Sequence, residues 1–384
     1  MKKLYTLTAL VLLASMLLTA CGAPAATTEA PAPAATAAPA ATAAPAATTA
    51  PAFKVGEVTD MGGVDDKSFN ASAWKGVQDA IAQLGIDGKY LESKDQSDYA
   101  KNLQQFISEK DNLIITVGFL LGVDTATAAK ANPNMNFAIV DYTYPDCYPG
   151  AVEGKDCGSS TDLPNVRGLA FQTDQAAFLA GYAAAGMTKT GKVGTFGGLP
   201  IPTVTIFMKG FEAGVKYYNT QKGTNVAVLG WDNATNKGLF TNNFSSTDDG
   251  RKFAESLMQE GADIIMPVAG PVGLGSAAVC KETGKCLIIG VDTDWFVSAP
   301  EFQSIELTSV MKKIDVAVLK TIKDAQSGSF KGGTVTYTIK DGGVDMAPFH
   351  NFDGQVPASL KTELDAAKAA LSDGSLTVDG VLGK

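Results

Sequence analysis

From about residue 53 onward, short apolar runs alternate with stretches whose apolar positions recur at helical spacing. Runs near 54–59, 113–117, 137–142 and 166–171 predict buried strands. A second series follows near 192–196, 226–230, 263–268 and 287–291. Helical periodicity predicts helices near 68–84, 99–109, 174–187, 204–218, 250–260 and 311–325. Alternation of this kind predicts an α/β fold with parallel sheets.

The two series match in order. Strand, Gly62-Gly63 and SAWKGVQDA in the first answer to strand, Gly197-Gly198 and IFMKGFEAG in the second. LIITVGFLLGVDTATAAK answers to DIIMPVAGPVGLGSAAVC, and FAIVDYT to LIIGVDTDW. Three matches in register imply two similar lobes. Asp141 and Asp292 then end equivalent buried strands, and Phe69 and Phe207 sit beside equivalent Lys-Gly helices. Strand ends that face each other would make a cleft, and a ligand touching both lobes would favour their closure. The segment 302–310 is expected to cross back to the first lobe, with the tail returning to the second.

Ligands of open α/β sheets sit in the turns at the carboxyl ends of strands. The turn DMGGVDDKSFN offers Asp60, Asp65, Asp66, Asn70 and the ring of Phe69. Three carboxylates repel a phosphate and suit an uncharged ring-bearing ligand with O–H or N–H donors. Asp65 and Asp66 read as turn and cap residues. Phe69 and Phe207 could stack on two faces of one flat ring, with Trp231 and Phe244 as rivals for the second face. Ionised Asp141 and Asp292 accept hydrogen bonds only, so they select donors; Asp292 suits two neighbouring hydroxyls. Asn70 both donates and accepts, as a base edge requires. Lys312, read as opening a helix, could donate to the ligand and offset the carboxylates. Gly270 and Gly273 allow close backbone approach.

The chain ends add an address. Lys2 and Lys3 precede an apolar run at 7–18 that closes in Leu18-Thr19-Ala20-Cys21. This reads as a signal peptide over 1–20, with a bacterial lipobox whose cysteine is lipidated. Residues 21–52 are almost all Ala, Pro and Thr and predict a flexible tether. The expected place is therefore the outer face of the cell membrane, held by lipid. The net charge is −9; loss of residues 1–20 takes away two lysines and no acid, which makes it −11. With no long basic run, nucleic-acid binding is excluded. In an exported chain the close pairs Cys147/Cys157 and Cys280/Cys286 predict two local disulfides. No histidine lies near either pair, so neither reads as a metal site. His350 is the only histidine, in a Pro-Phe-His-Asn loop, and no G-x-S-x-G, H-E-x-x-H or Walker A motif occurs. No catalytic residue and no cofactor are expected.

GGVDDKSFNASAWKG, VDYTY, GADIIMPVAGPVGLG, GVDTDW and TSVMKKID, in this order, resemble the basic membrane protein family. These are lipoprotein substrate-binding components of bacterial ABC transporters. The resemblance runs from about Phe53 to Phe349 and implies a type I periplasmic-binding-protein fold: two Rossmann-like lobes with parallel sheets, joined by three crossings. The implied division is 53–172 with about 303–333 in the first lobe, and 173–302 with about 334–384 in the second. The implied ligand is a nucleoside, of a purine by preference, and the implied partner is an ABC permease; the receptor is expected to act as a monomer. By the same resemblance Phe69 looks like a stacking ring, Asn70, Asp60 and Asp141 like base contacts, and Asp292 with Lys312 like a ribose clamp. Two stretches depart from the family pattern, 145–164 and 231–249, and leave ligand preference open if they overhang the cleft. From the residues alone, a receptor for a sugar or other small polar solute stays open, as does an exported hydrolase or an adhesion protein on the same scaffold.

Overall fold

The computed structural model describes residues 52–144 and 163–383, within the unit spanning Ala50–Lys384. In the first half, strands β1 (Lys54–Thr59), β2 (Asp87–Leu91), β3 (Leu113–Val117), β4 (Asn136–Val140) and β5 (Val166–Phe171) alternate with helices α1 (Phe69–Leu84), α2 (Tyr99–Glu109) and α3 (Gly122–Ala131). The second half begins with α4 (Thr173–Met187) and continues through β6 (Lys192–Gly197), α5 (Pro202–Lys222) and β7 (Ala227–Leu229). A small hairpin, β8 (Trp231–Asp232) with β9 (Lys237–Gly238), comes next. After it come α6 (Thr247–Gln259), β10 (Ile264–Val268), α7 (Val272–Thr283), β11 (Leu287–Asp292), the short α8 (Trp295–Ser298) and β12 (Glu306–Lys312). The chain ends through α9 (Ile314–Gln326), β13 (Gly333–Tyr337), β14 (Val344–Met346), α10 (Ala358–Asp373) and α11 (Val378–Leu382).

Two six-stranded sheets result, ordered β2-β1-β3-β4-β5-β13 and β7-β6-β10-β11-β12-β14. The first is parallel throughout; the second has one antiparallel edge, β14 against β12. Each position in one order has a counterpart in the other, so the twin lobes read from the sequence extend to the whole topology. Central strands β3 and β10 are buried at every residue because helices cover both faces. For that reason they read as unbroken apolar runs rather than alternating ones. α1 packs on α9, α4 on α5 and α6 on α7.

The expected crossings need a correction. Residues 306–312 do not cross back to the first lobe; they form β12, paired in parallel with β11 in the second sheet. β12 is the counterpart of β5, the strand each sheet needs to cover its fourth strand. The crossing comes after Lys312, and α9 then packs on α1. Lys312 therefore ends a strand instead of opening a helix. β13 joins β5 of the first sheet, so the chain returns to the second lobe only between Tyr337 and Val344, not near 334. Phe207 lies in the second turn of α5, because Pro202 starts that helix early at a position where the missing N–H costs nothing. Cys280 and Cys286 are joined in a disulfide at the end of α7. The expected signal peptide, tether, Cys21 and the Cys147–Cys157 pair lie outside the described residues.

Candidate functional site

The carboxyl ends of β1, β3, β4 and α1's first turn face those of β10 and β11 and the first turns of α5 across a cleft. The space between the atoms there is about 550 Å³, part of it open to solvent. Eight of the residues expected from the sequence line it: Asp60, Phe69, Asn70, Asp141, Phe207, Gly270, Asp292 and Lys312. Phe244, one of the two rivals, lines it as well. Trp231 does not: its indole N–H donates to Asn233 Oδ1 at 3.1 Å and its ring meets Phe240 edge-on. Phe207 is 2% exposed, while Phe69 and Phe244 keep part of their surface open. Gly273 is a packing residue, since a Cβ there would lie 2.9 Å from Trp295.

Lys312 is the centre of the charge arrangement. Its side chain is 1% exposed, touches Asp141 Oδ2 directly and lies 3.8 Å from Asp292 Oδ1. Its ammonium also sits over three rings, 4.8 Å from the centre of Phe69, 5.2 Å from Phe171 and 5.6 Å from Phe207. Burial pushes the carboxyls of Asp141 and Asp292 up from the ordinary range, and the Lys312 ammonium pulls both part of the way back. Asp60 is pushed well up by burial, with the Asn70 amide pulling down and Asp66, Asp141 and Asp292 pushing further. One cation thus faces several carboxylates, and the surplus lone pairs call for ligand donors rather than a ligand anion.

Backbone geometry supports the pairing of Asp141 and Asp292. Both have left-handed backbones, φ 62° and 67°, a conformation aspartate tolerates better than most side chains. Each kink ends its strand and leaves a carboxylate on the cleft wall. Gly118, at the end of β3, has φ 119°, and a Cβ there would lie 2.1 Å from Asp60 Oδ2. Only glycine leaves room for that carboxylate.

The first turn of α1 is set from upstream. Asp66 accepts from the backbone N–H of Ser68, Asn70 and Ala71 at 2.9, 2.8 and 3.0 Å, satisfying orphan donors of the helix start. The capping role read for it holds, although it also lines the cleft. Burial raises its carboxyl to about 7 in spite of those three bonds. Asn70 is buried; its Nδ2 donates to Gly63 O at 3.2 Å and its Oδ1 has no partner among the described residues. Such an acceptor calls for a donor from a ligand or water.

Two contributors escaped the sequence reading. Ser68, fully buried, has its hydroxyl 2.7 Å from Asp292 Oδ2 and 2.9 Å from Val291 O in the opposite lobe. Gly198 admits the ring of Phe244, since a Cβ there would lie 2.2 Å from it. The Gly197-Gly198 pair was a visible signal for the second; nothing local marked the first. Of the departing stretches, 231–249 brings Phe244 to the cleft, while 145–162 lies outside the described residues. His350 lies elsewhere, its Nε2 2.8 Å from Asp294 Oδ2 and its ring stacked on Phe296 at 4.0 Å.

Two parallel-sheeted lobes joined by three crossings, with a polar cleft between their strand ends, define a type I solute-binding protein. A solved solute-binding protein of an ABC transporter system from Aeropyrum pernix K1 superposes with TM-score 0.71 at 25% identity, covering 85% of this chain and 92% of that one. The family model described as ABC transporter substrate-binding protein PnrA-like, Bmp, matches residues 53–372, and the chain belongs to that family. A relative from Lactococcus lactis subsp. cremoris, "ABC transporter nucleoside-binding protein BmpA", is 31% identical over 339 residues, 84% of this chain and 87% of its own. "Basic membrane protein A" of Borreliella burgdorferi is 32% identical over 308 residues, 79% of this chain and 81% of its own. The chain is thus a substrate-binding protein of the ABC transporter kind. Among the described residues no helix is long and apolar enough to cross a membrane.

Proposed function

We propose that this protein captures a nucleoside, of a purine by preference, between its lobes and hands it unchanged to an ABC permease. The observation that carries the reading is the cleft itself: Phe69 on one wall, Phe207 and Phe244 on the other, and acceptors placed around Lys312. A flat base stacked on these rings would gain about 1–3 kcal/mol from each contact. Asn70, Asp60 and Asp141 meet the base edge. Asp292 and Lys312 grip the ribose hydroxyls. No step of chemistry is assigned: His350, the one histidine of the sequence, is not among the residues lining the cleft. The printed name of the Lactococcus relative supports a nucleoside. Lipidation at Cys21, with 21–52 as tether, would hold the receptor at the outer face of the membrane near its permease; Cys147–Cys157 is the second disulfide of this proposal.

Calorimetric titration with adenosine, guanosine, inosine, cytidine and uridine tests the reading. At least one should bind below millimolar, and Asp292→Ala should weaken ribonucleosides far more than free bases. The same pair, Asp292 and Lys312, could grip a free sugar. Ribose binding below millimolar with every nucleoside failing would replace the nucleoside by a sugar.

A further inference from the structure

The floor of the cleft carries an unbroken polar path between the lobes. It runs from Asp66 to the N–H of Ser68 at 2.9 Å and from the Ser68 hydroxyl to Asp292 Oδ2 at 2.7 Å. Asp292 Oδ1 then faces Lys312 at 3.8 Å, and Lys312 reaches back to Asp141 in the first lobe. Beside it, the Thr293 hydroxyl donates to Lys67 O at 2.9 Å, a further bond between lobes. We infer that Ser68 is a positioning residue: its hydroxyl latches the lobes through Asp292 and turns that carboxylate toward the ligand.

The argument is one of valence and burial. Ser68 and Asp292 belong to different lobes, so their bond exists only when the lobes are closed. Closing takes the Asp292 carboxylate out of water, which is costly unless it is paired and hydrogen-bonded. Ser68 occupies Oδ2. Lys312, at 3.8 Å, is beyond hydrogen-bonding distance of Oδ1, so that oxygen keeps a lone pair for a ligand donor. The division of labour fixes the carboxylate plane against the ligand's hydroxyl as the lobes close. Asp66 holds Ser68 in place from below, because it caps the same helix turn. The identity of the ligand here rests on the nucleoside reading; the latch itself does not.

Two measurements separate those layers. The first is urea unfolding, without ligand and again with saturating ribonucleoside, in a cycle of Ser68→Ala, Asp292→Ala and the double variant. A latch predicts coupling, in which the second substitution lowers the midpoint less once the first is present. Additive shifts would overturn it. The second is binding of the preferred ribonucleoside and its 2′,3′-dideoxy counterpart to wild type and Ser68→Ala. Loss of one hydrogen bond to a charged group predicts roughly tenfold weaker ribonucleoside binding and a much smaller change for the dideoxy ligand. Ser68→Thr, which keeps the hydroxyl, should recover much of the difference. Equal weakening of both ligands overturns the positioning role even if the cycle shows coupling. Should wild type bind no nucleoside, the nucleoside reading fails, and the unfolding cycle still decides the latch.

Discussion

Replacing Lys312 by methionine is the sharpest perturbation the cleft offers. The side chain keeps its length and loses its charge, in a place where it is 1% exposed and faces two carboxylates. At 3.8 Å and an effective dielectric of about 20, the attraction to Asp292 alone is about 4 kcal/mol. Part of that is offset by desolvation, and breaking a buried pair by removing one partner typically costs about 3–5 kcal/mol. Burial already holds Asp141 and Asp292 above the ordinary carboxyl range, with Lys312 opposing the shift. Removing the ammonium raises both further. Between the old and new values the folded variant then binds more protons than the folded wild type, so the variant's deficit grows as pH rises. Each unit of added shift is worth about 1.4 kcal/mol. Urea unfolding of ligand-free protein should therefore show a loss of about 3–5 kcal/mol at pH 8 and a smaller loss at pH 5. In an Asp141→Asn background the cost should fall, because one of the stranded charges is gone. A loss that is the same at both pH values and unchanged by Asp141→Asn would refute the charge account and leave only packing.

Three further outcomes follow from the same geometry. Phe69→Ala should weaken every nucleoside by about 1–3 kcal/mol in calorimetry, whereas Phe207→Ala, at 2% exposure, should cost stability as well as affinity. Gly198→Ala forces a Cβ to within 2.2 Å of the Phe244 ring; it should weaken binding as Phe244→Ala does, and the two changes together should be no worse than either, a result that larger combined losses would contradict. For Asp66, a folded value of about 7 against an ordinary 3.8 means that the native state holds the proton more tightly. Its contribution favours folding below the unfolded value and is lost as pH rises toward 7, a swing of about 4 kcal/mol at most. Asp66→Asn should flatten the fall in stability between pH 4 and 7 relative to wild type, and an unchanged slope would remove the assignment.

Much of the molecule was legible in one dimension. Strands buried on both faces are written as continuous apolar runs, and helices as 3.6-residue periodicity, so the α/β class and the repeat were open to reading. Asp141 and Asp292 could be paired because each follows a buried strand, and strand ends are where open sheets present ligand-binding groups. Less visible were short or edge elements such as β2, β13 and β14, half exposed and without a strong apolar signature. The stretch after Phe302 was misplaced for a related reason: which sheet an apolar segment joins depends on which neighbour lacks a partner. Ser68 is the clearest case of all. Its neighbours in sequence mark it as a helix start and nothing more. Its role comes from Asp292, 224 residues away, and only closure of one lobe on the other puts a hydroxyl against that carboxylate. Local pattern determined the elements and their order, because propensity and burial act over a few residues. Sheet pairing, the seat of each aromatic wall and the charge balance around Lys312 were decided by the tertiary structure, because they depend on distances between groups that the chain itself keeps far apart.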